Sequence, residues 1–471
     1  MPWLIRCAML LASLTLAACA GSQIVFMAHP IWTQTESYYT VQEDGSRLTR
    51  IADGADSTFC GITSDRSRAV IAYKTDNATL IKTANLDGSG EQLITSIAVQ
   101  DYCVAVTSGD VVVLQTIVPL PPPGGHYRTL SWFALASPAL RVKARDDSGL
   151  MNEVYFASHQ GEIVWGLLAG FDSTSPLTYL HEASSSSGSP PRTLTGPGSV
   201  FLGTAQWAVD IFQRDLGLYA APLDGGLAWW LSLDYNEATA STFPGPITTL
   251  GAEYCGHTYG PNYNNGELSE IAYTRRYRAE DWQGIGYGGE MFAVRVDSTN
   301  FRPLLHTPAT YDDRCVGVAS DDWLVFERTN AGGTKRLFSL RMDGSQETHP
   351  LSSGDDDGFE GSTLAQRILF TTRDSLGSWS LHAVNVDGSG DTLILAGNAS
   401  VYGTTSQNRA IVYSQDEGWL SIDVFDARKT ALAPNLLNAL PLAILCAPSL
   451  LPTHASCGVT WRAAQPAYID F

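Results

Sequence analysis

Apolar and polar residues alternate along most of this chain in short runs separated by turn-forming residues. A period of two puts successive side chains on opposite faces of an extended strand, so the runs predict β-strands rather than helices. One phrase, NLDGSGEQL from Asn85 to Leu93, returns three hundred residues later as NVDGSGDTL from Asn385 to Leu393. Relatives of it are TVQEDGSRLTRI from Thr40, LYAAPLDGGLAWWL from Leu218, MFAVRVDSTNFRPLL from Met291, LFSLRMDGSQETHPL from Leu337 and LSIDVFDARKTALA from Leu420. Each reads as a strand, a turn centred on Asp and a second short strand. Asp-Gly between alternating runs is a hairpin signal, because both turn positions favour positive φ. The turns at Asp297, Asp343, Asp387 and Asp426 are 46, 44 and 39 residues apart, and those at Asp44 and Asp87 are 43 apart.

Upstream of each hairpin a small residue, a polar turn and an apolar strand recur. Examples are GITSDRSRAVIAY ending at Tyr73, GVASDDWLVFE at Glu327, GSTLAQRILFT at Thr371 and GTTSQNRAIVY at Tyr413. Four strands in a unit of 40–45 residues predict the blade of a β-propeller, since one such sheet cannot bury both faces unless blades pack around an axis. Nine candidate units can be marked off, with Asp146–Thr195 the weakest. Propellers typically have four to eight blades, so the expectation is an all-β single propeller of eight four-stranded blades, seven and nine bounding it. The first unit opens at a strand resembling the second of a blade, IVFMA at Ile24. Its missing partner is expected from the C-terminus, with CGVTWR near Cys457 as the nominee. The division is then 1–18 leader, 19–433 propeller and 434–471 a tail packing on or closing the ring.

These units resemble TolB-type (WD40-like) propeller repeats, also found in prolyl oligopeptidase-like proteins. The resemblance covers most of residues 24–433. The family's Ser-Pro-Asp-Gly turn is degraded here to Thr63-Ser64-Asp65-Arg66 and Ala319-Ser320-Asp321-Asp322. It implies an architecture and transfers no activity. The peptidase reading fails on the residues themselves: there is no GxSxG nucleophile elbow and no room for a hydrolase domain.

Composition adds that the 471 residues are 44% apolar and only 16% charged, with 43 Gly and 23 Pro, as befits a folded, turn-rich chain. A net charge of −19 without a basic stretch repels nucleic acid phosphates and argues against nucleic acid as a partner and against peripheral adhesion to anionic head groups. The N-terminus, MPWLIRCAMLLASLTLAACAGSQ, reads as a secretory signal too short to span a membrane. Leu16-Ala17-Ala18-Cys19 resembles the lipobox of bacterial lipoproteins, which implies cleavage before Cys19 and lipid on its thiol. Ala20 rather than Asp then implies sorting to the outer membrane of a Gram-negative cell, on its periplasmic or surface face. Ordinary cleavage is the alternative, because Ala18-Cys19-Ala20 also fits a small-x-small site. Six cysteines remain after Cys7 and Cys19, an even number for an oxidising compartment and without a CxxC pair. Cys60 and Cys103 enter the first strands of adjacent units, as do Cys255 and Cys315, so these are the expected pairs, with Cys446–Cys457 clamping the tail.

Candidate chemistry is sparse. The nine histidines form no HxH or HExxH cluster; His181-Glu182 and His257 remain candidates to converge in a channel. Asp355-Asp356-Asp357-Gly358 fails the EF-hand spacing, and turn chemistry already explains the oxygens at Asp87 and Asp387 that would suit calcium. No cofactor or metal is expected. VPLPPPGGHY (Val118–Tyr127) reads as a stiff surface loop and SSSSGSPP (Ser184–Pro191) as a flexible one. Residues 254–289 depart furthest from the repeat. Their Tyr259, Tyr263, Tyr277, Trp282 and Tyr287, set among glycines, make the best candidate binding surface. The tail PNLLNALPLAILCAPSLLP is too broken by proline for a spanning helix. The expectation is a lipid-anchored, monomeric envelope scaffold, more a binder than an enzyme. Its partner would be an envelope protein, a peptide or a glycan. A glycan lyase or hydrolase with a metal or carboxylate site at the channel mouth is the alternative.

Overall fold

In the computed structural model, residues 22–445 are described apart from short breaks and larger ones at 31–35, 120–125, 145–151, 170–177, 223–228, 232–246 and 259–269. The described residues are all-β, in nine antiparallel four-stranded blades. The first consists of Gln23–Pro30, Ser37–Gln42 and Thr49–Asp53 together with Leu436–Leu445. The others occupy 57–97, 101–143, 152–193, 199–230, 247–306, 311–350, 358–396 and 399–431. The ring therefore has nine blades rather than eight. The doubtful unit is a true blade, with strands Asn152–His159, Glu162–Ala169, Thr178–Ser185 and Arg192–Thr193; a single pair, Tyr179 with Ser199, links it to the fifth. It was weak in sequence because its outer hairpin lacks Asp-Gly. Ser184–Pro191 is that hairpin, and it is held rather than loose: Ser185 N–H donates to Ser189 Oγ (3.0 Å), and Trp132 of the third blade donates to Ser186 O (3.0 Å).

The apolar triplets of the second strands follow from the ring. In Arg68–Lys74, Ala69 and Ile71 pack in the cluster shared with the first blade, while Val70 and Ala72 pack in the one shared with the third. Both faces of a blade are covered, so the strand is apolar throughout instead of alternating. The described core consists of nine such clusters, one per junction between neighbouring blades.

First strands touch from the second blade to the third, from the fourth to the fifth and from the sixth through the ninth, and the first strand of every blade carries a β-bulge at the same register. The residue after the bulge is Gly61, Ala105, Ala157, Gly203, Gly256, Gly317, Gly361, Gly403 or Ala443. A larger side chain would collide with the next blade: a Cβ on Gly317 would lie 2.5 Å from Phe359 Cε1, and one on Gly256 3.0 Å from Val318 Cγ2. This is the small residue that recurs in the sequence.

The repeated Asp-Gly has a second cause besides its turn. Gly388 has φ +77°, and a Cβ there would lie 2.5 Å from Pro350 O on the outermost strand of the preceding blade. Gly45 (φ +76°) meets Ala431 O of the ninth blade in the same way, and Gly88 meets Arg50 O. These three tips thus seat backbone against the neighbouring blade, while Gly344 of the seventh blade stands clear, its Cβ position 3.8 Å from Pro303 O.

Closure comes from the C-terminal side, through Leu436–Leu445, whose register with Gln23–Pro30 runs from Leu445 opposite Gln23 to Leu436 opposite Pro30. The apolar tail is thus the innermost strand of the first blade, some twenty residues before the segment nominated for that place; CGVTWR lies outside the described residues, as do Cys446 and Cys457. No helix among the described residues is long and apolar enough to cross a membrane.

Candidate binding face

The ring has two faces. The turn face carries the first-to-second and third-to-fourth turns of each blade. The hairpin face carries the second-to-third turns and the links between blades. Turn-face contacts run laterally from blade to blade: Ser64 N–H donates to Asp110 Oδ1 (2.6 Å) and Ala365 N–H to Asn408 Oδ1 (2.8 Å). Within the turns, carboxylates serve their own loops. Asp87 and Asp387 each accept from the hydroxyl (2.6 Å) and N–H (2.9 Å) of the serine two residues on. These bonds, hydroxyl first, hold both acids below the usual carboxylate range. Asp65 falls to about 2, first through the Thr63 hydroxyl and then through Ser67.

Among the described residues, the longest strands reaching the hairpin face belong to the sixth blade. Its first three strands, Ile247–Thr258, Glu270–Asp281 and Gly284–Arg295, have 12 residues each. From the bulge register, where Tyr273 faces Tyr254, the second strand continues eight residues to Asp281. Its counterparts run on by three in the second and eighth blades, from Ile71 to Lys74 and from Phe370 to Arg373, by four in the seventh, from Phe326 to Asn330, and by five in the third, from Leu114 to Pro119. Strands rise roughly 3.3 Å per residue, so this strand runs about 10–17 Å further out than those four. The segment that departs from the repeat is therefore mostly an extended ribbon rather than a long loop. Tyr277 lies in it opposite Gly288, and Tyr287 opposite Arg278; Tyr259, Tyr263 and Trp282 lie outside the described residues. The ribbon's root is stiffened. Arg275 pairs with Glu290 at 2.5 Å and stacks over Phe292 (5.0 Å), whose ring stacks on Tyr273 at 5.5 Å. Burial pushes the Tyr273 hydroxyl well above its ordinary range.

The two histidine candidates do not meet. His181 is on the third strand of the fourth blade, fully buried, its ring 4.8 Å from Phe212 of the fifth blade and Nδ1 3.1 Å from Thr195 Oγ1. Burial pushes it down to about 4. His257 is on the sixth blade's innermost strand, 2.7 Å from the Tyr254 hydroxyl, and burial lowers it too. Among the described residues no three His, Cys, Asp or Glu side chains converge within metal-ligand reach. A cavity of about 300 Å³ opens between the second and third blades on the hairpin face, lined by Asp56, Ser57, Lys74, Thr79, Asp101 and Tyr102. Its buried acid, Asp101, is held by Arg141 (2.8 Å) and Thr116.

Two inter-blade bridges stand in the structure, Cys60–Cys103 and Cys255–Cys315, each with a Cα separation of 5.5 Å. In both, the bulged residue of one blade reaches the residue before the bulge in the next. Sequence reasoning missed a related pattern. Two residues before that pre-bulge position stand Asp101, Glu153, Asp313 and Asp357, all at most 4% exposed. Asp313 is gripped by Arg328 through two bonds of 2.8 and 2.6 Å, and Glu153 accepts from Leu130 N–H of the preceding blade (2.6 Å). An acid two residues before Cys, Tyr or Phe was the visible signal. These acids bind strands and blades together.

The chain is thus a nine-bladed β-propeller whose longest described strands form the ribbon of the sixth blade. No family model matches it, and no curated relative matches it in sequence. It is similar in fold to apo AztD from Citrobacter koseri, with 10% identity over 89% of this chain and 98% of that one, TM-score 0.40. TolB from Acinetobacter baumannii matches at 11% over 71% and 81%, TM-score 0.30. Oligopeptidase B from Leishmania major matches at 10% over 77% and 54%, TM-score 0.39. The chain spans about half the length of the peptidases it matches. At such identities the likeness concerns fold alone.

Proposed function

We propose that this propeller is an exported, lipid-anchored envelope scaffold that binds a protein or peptide partner through the ribbon of its sixth blade. The observation that carries the reading is the ribbon itself: a stiff-rooted hairpin whose second strand runs further out than those of the second, third, seventh and eighth blades, with Tyr277 and Tyr287 among glycines. Aromatic side chains give large contact area at little entropic cost, and glycine lets a partner's backbone approach. The two disulfides suit folding in an oxidising compartment, and the lipobox-like Leu16–Cys19 supplies the anchor.

The test is cross-linking in envelope membranes followed by quantitative mass spectrometry of the captured partners. Three forms are compared: wild type, Cys19→Ala, and a chain in which residues 276–287 are replaced by a two-residue turn. Partners captured by wild type should fall at least ten-fold with the shortened ribbon while both disulfides remain intact. Cys19→Ala should release the protein from the membrane. Equal capture by the shortened form would end the ribbon reading.

A further inference from the structure

The chain is fixed to the ring from Ser22 onward. Ser22 is fully buried; its N–H donates to Glu43 Oε1 (3.1 Å), and its carbonyl accepts from Glu43 N–H (2.9 Å). Its hydroxyl lies 3.1 Å from that of Ser406 in the first-to-second turn of the ninth blade. Glu43 is itself only 2% exposed, and Gln23–Pro30 is paired on both sides immediately afterwards. This anchorage lies on the turn face, where second strands begin and third strands end. Only Ala20 and Gly21 separate Ser22 from Cys19. Three residue steps span at most about 11 Å even when fully extended.

We propose that, with lipid on Cys19, the turn face beside Ser22 rests on the lipid head groups and the sixth-blade ribbon points away from the membrane. This rests on the anchor assigned under the proposed function. Acyl chains must lie in the hydrocarbon core, so Cys19 sits at head-group depth. The ring is one strand thick, and six to eight residues at roughly 3.3 Å give about 20–25 Å. The tether is half that, so the hairpin face cannot reach the bilayer. Both signs of charge occur in the nearby turns, with Asp44 beside Arg47 and Asp426 beside Arg428. Contact is therefore set by tether length rather than by charge attraction.

The test uses full-length lipidated protein in vesicles of phosphatidylethanolamine and phosphatidylglycerol. A benzophenone-bearing phenylalanine is placed singly at Gln407 or Arg47 on the turn face, and at Glu417 or Asn77 on the hairpin face; all four are exposed and lie between strands. After illumination, lipid adducts at Gln407 and Arg47 should exceed those at Glu417 and Asn77 at least ten-fold by mass spectrometry. Equal or reversed yields with lipid present on Cys19 would overturn the orientation and leave the anchor standing. Absence of lipid on Cys19 by intact mass would overturn the anchor, and the orientation with it. A flexible spacer of about twenty Gly and Ser residues after Ala20 should keep the lipid and erase the bias. A bias that survives the spacer would mean that the face binds lipid by itself, overturning the tether account.

Discussion

Between the sixth and seventh blades, the bulged residue Cys255 is bonded to Cys315 ahead of the next bulge. One blade further on the same two positions are Val316 and Phe359, packed into one apolar cluster. At the junctions of the fifth with the sixth and the first with the second they are Leu202 with Tyr254 and Leu442 with Phe59, again sharing a cluster. One geometry thus accepts either a covalent link or an apolar contact. The backbone sets the meeting point, through the bulge and the small residue after it, and side-chain chemistry there is interchangeable so long as it fills the space.

That comparison can be broken most strongly at the bridges. They join residues 43 and 60 apart in sequence, and loops of that size limit the unfolded chain by about 4 kcal/mol each. Cys→Ser at one bridge should lower stability by about that amount in denaturant titration; no change would mean that the apolar packing alone suffices. Asp313→Asn at the same junction should cost about 3 kcal/mol, because it breaks a fully buried carboxylate's pairing with Arg328, which is partly exposed.

The junction of the fourth and fifth blades should respond to pH. His181 is neutral when folded, with its value pushed down to about 4 from an ordinary 6.5. Between those values the unfolded chain holds more protons than the folded one. Stability is therefore full above about 6.5 and falls by up to about 3 kcal/mol as the pH drops to about 4. His181→Gln should flatten this part of the profile, and an unchanged slope would place the effect elsewhere.

Glycine turns sharpen the contrast further. Gly388→Ala should cost about 2 kcal/mol, from a left-handed backbone and the nearby Pro350 carbonyl. Gly418→Ala, with a similar φ (+75°) but open space around it, should cost about 1 kcal/mol. Equal losses would show that the neighbouring blade yields. The smallest net change is expected for Val316→Cys with Phe359→Cys. A bridge should form under oxidising conditions, visible in non-reducing peptide mapping, with net stability altered by only about 1 kcal/mol, because lost packing offsets the new link.

By itself the sequence determined strand, turn and repeat. The period of two, the Asp-Gly tips and the spacing near 43 are local properties, and local physics suffices to read them. Cys60, Cys103, Cys255 and Cys315 could be paired because the repeat places each in the first strand of its unit, with the members of each pair in adjacent units. Blade number, the closing strand and the ribbon were decided by tertiary structure. The fourth blade's outer turn is built from serine hydroxyls rather than Asp-Gly, so nothing local announces it. Leu436–Leu445 reads as an apolar tail until Gln23–Pro30 lies alongside. Glycines and tyrosines from 270 to 289 look like a loop in one dimension; ladder bonds to neighbouring strands turn them into a hairpin. His181 and Glu43 likewise acquire their burial only from blades distant in the chain, because burial is a property of packed neighbours and not of the residue.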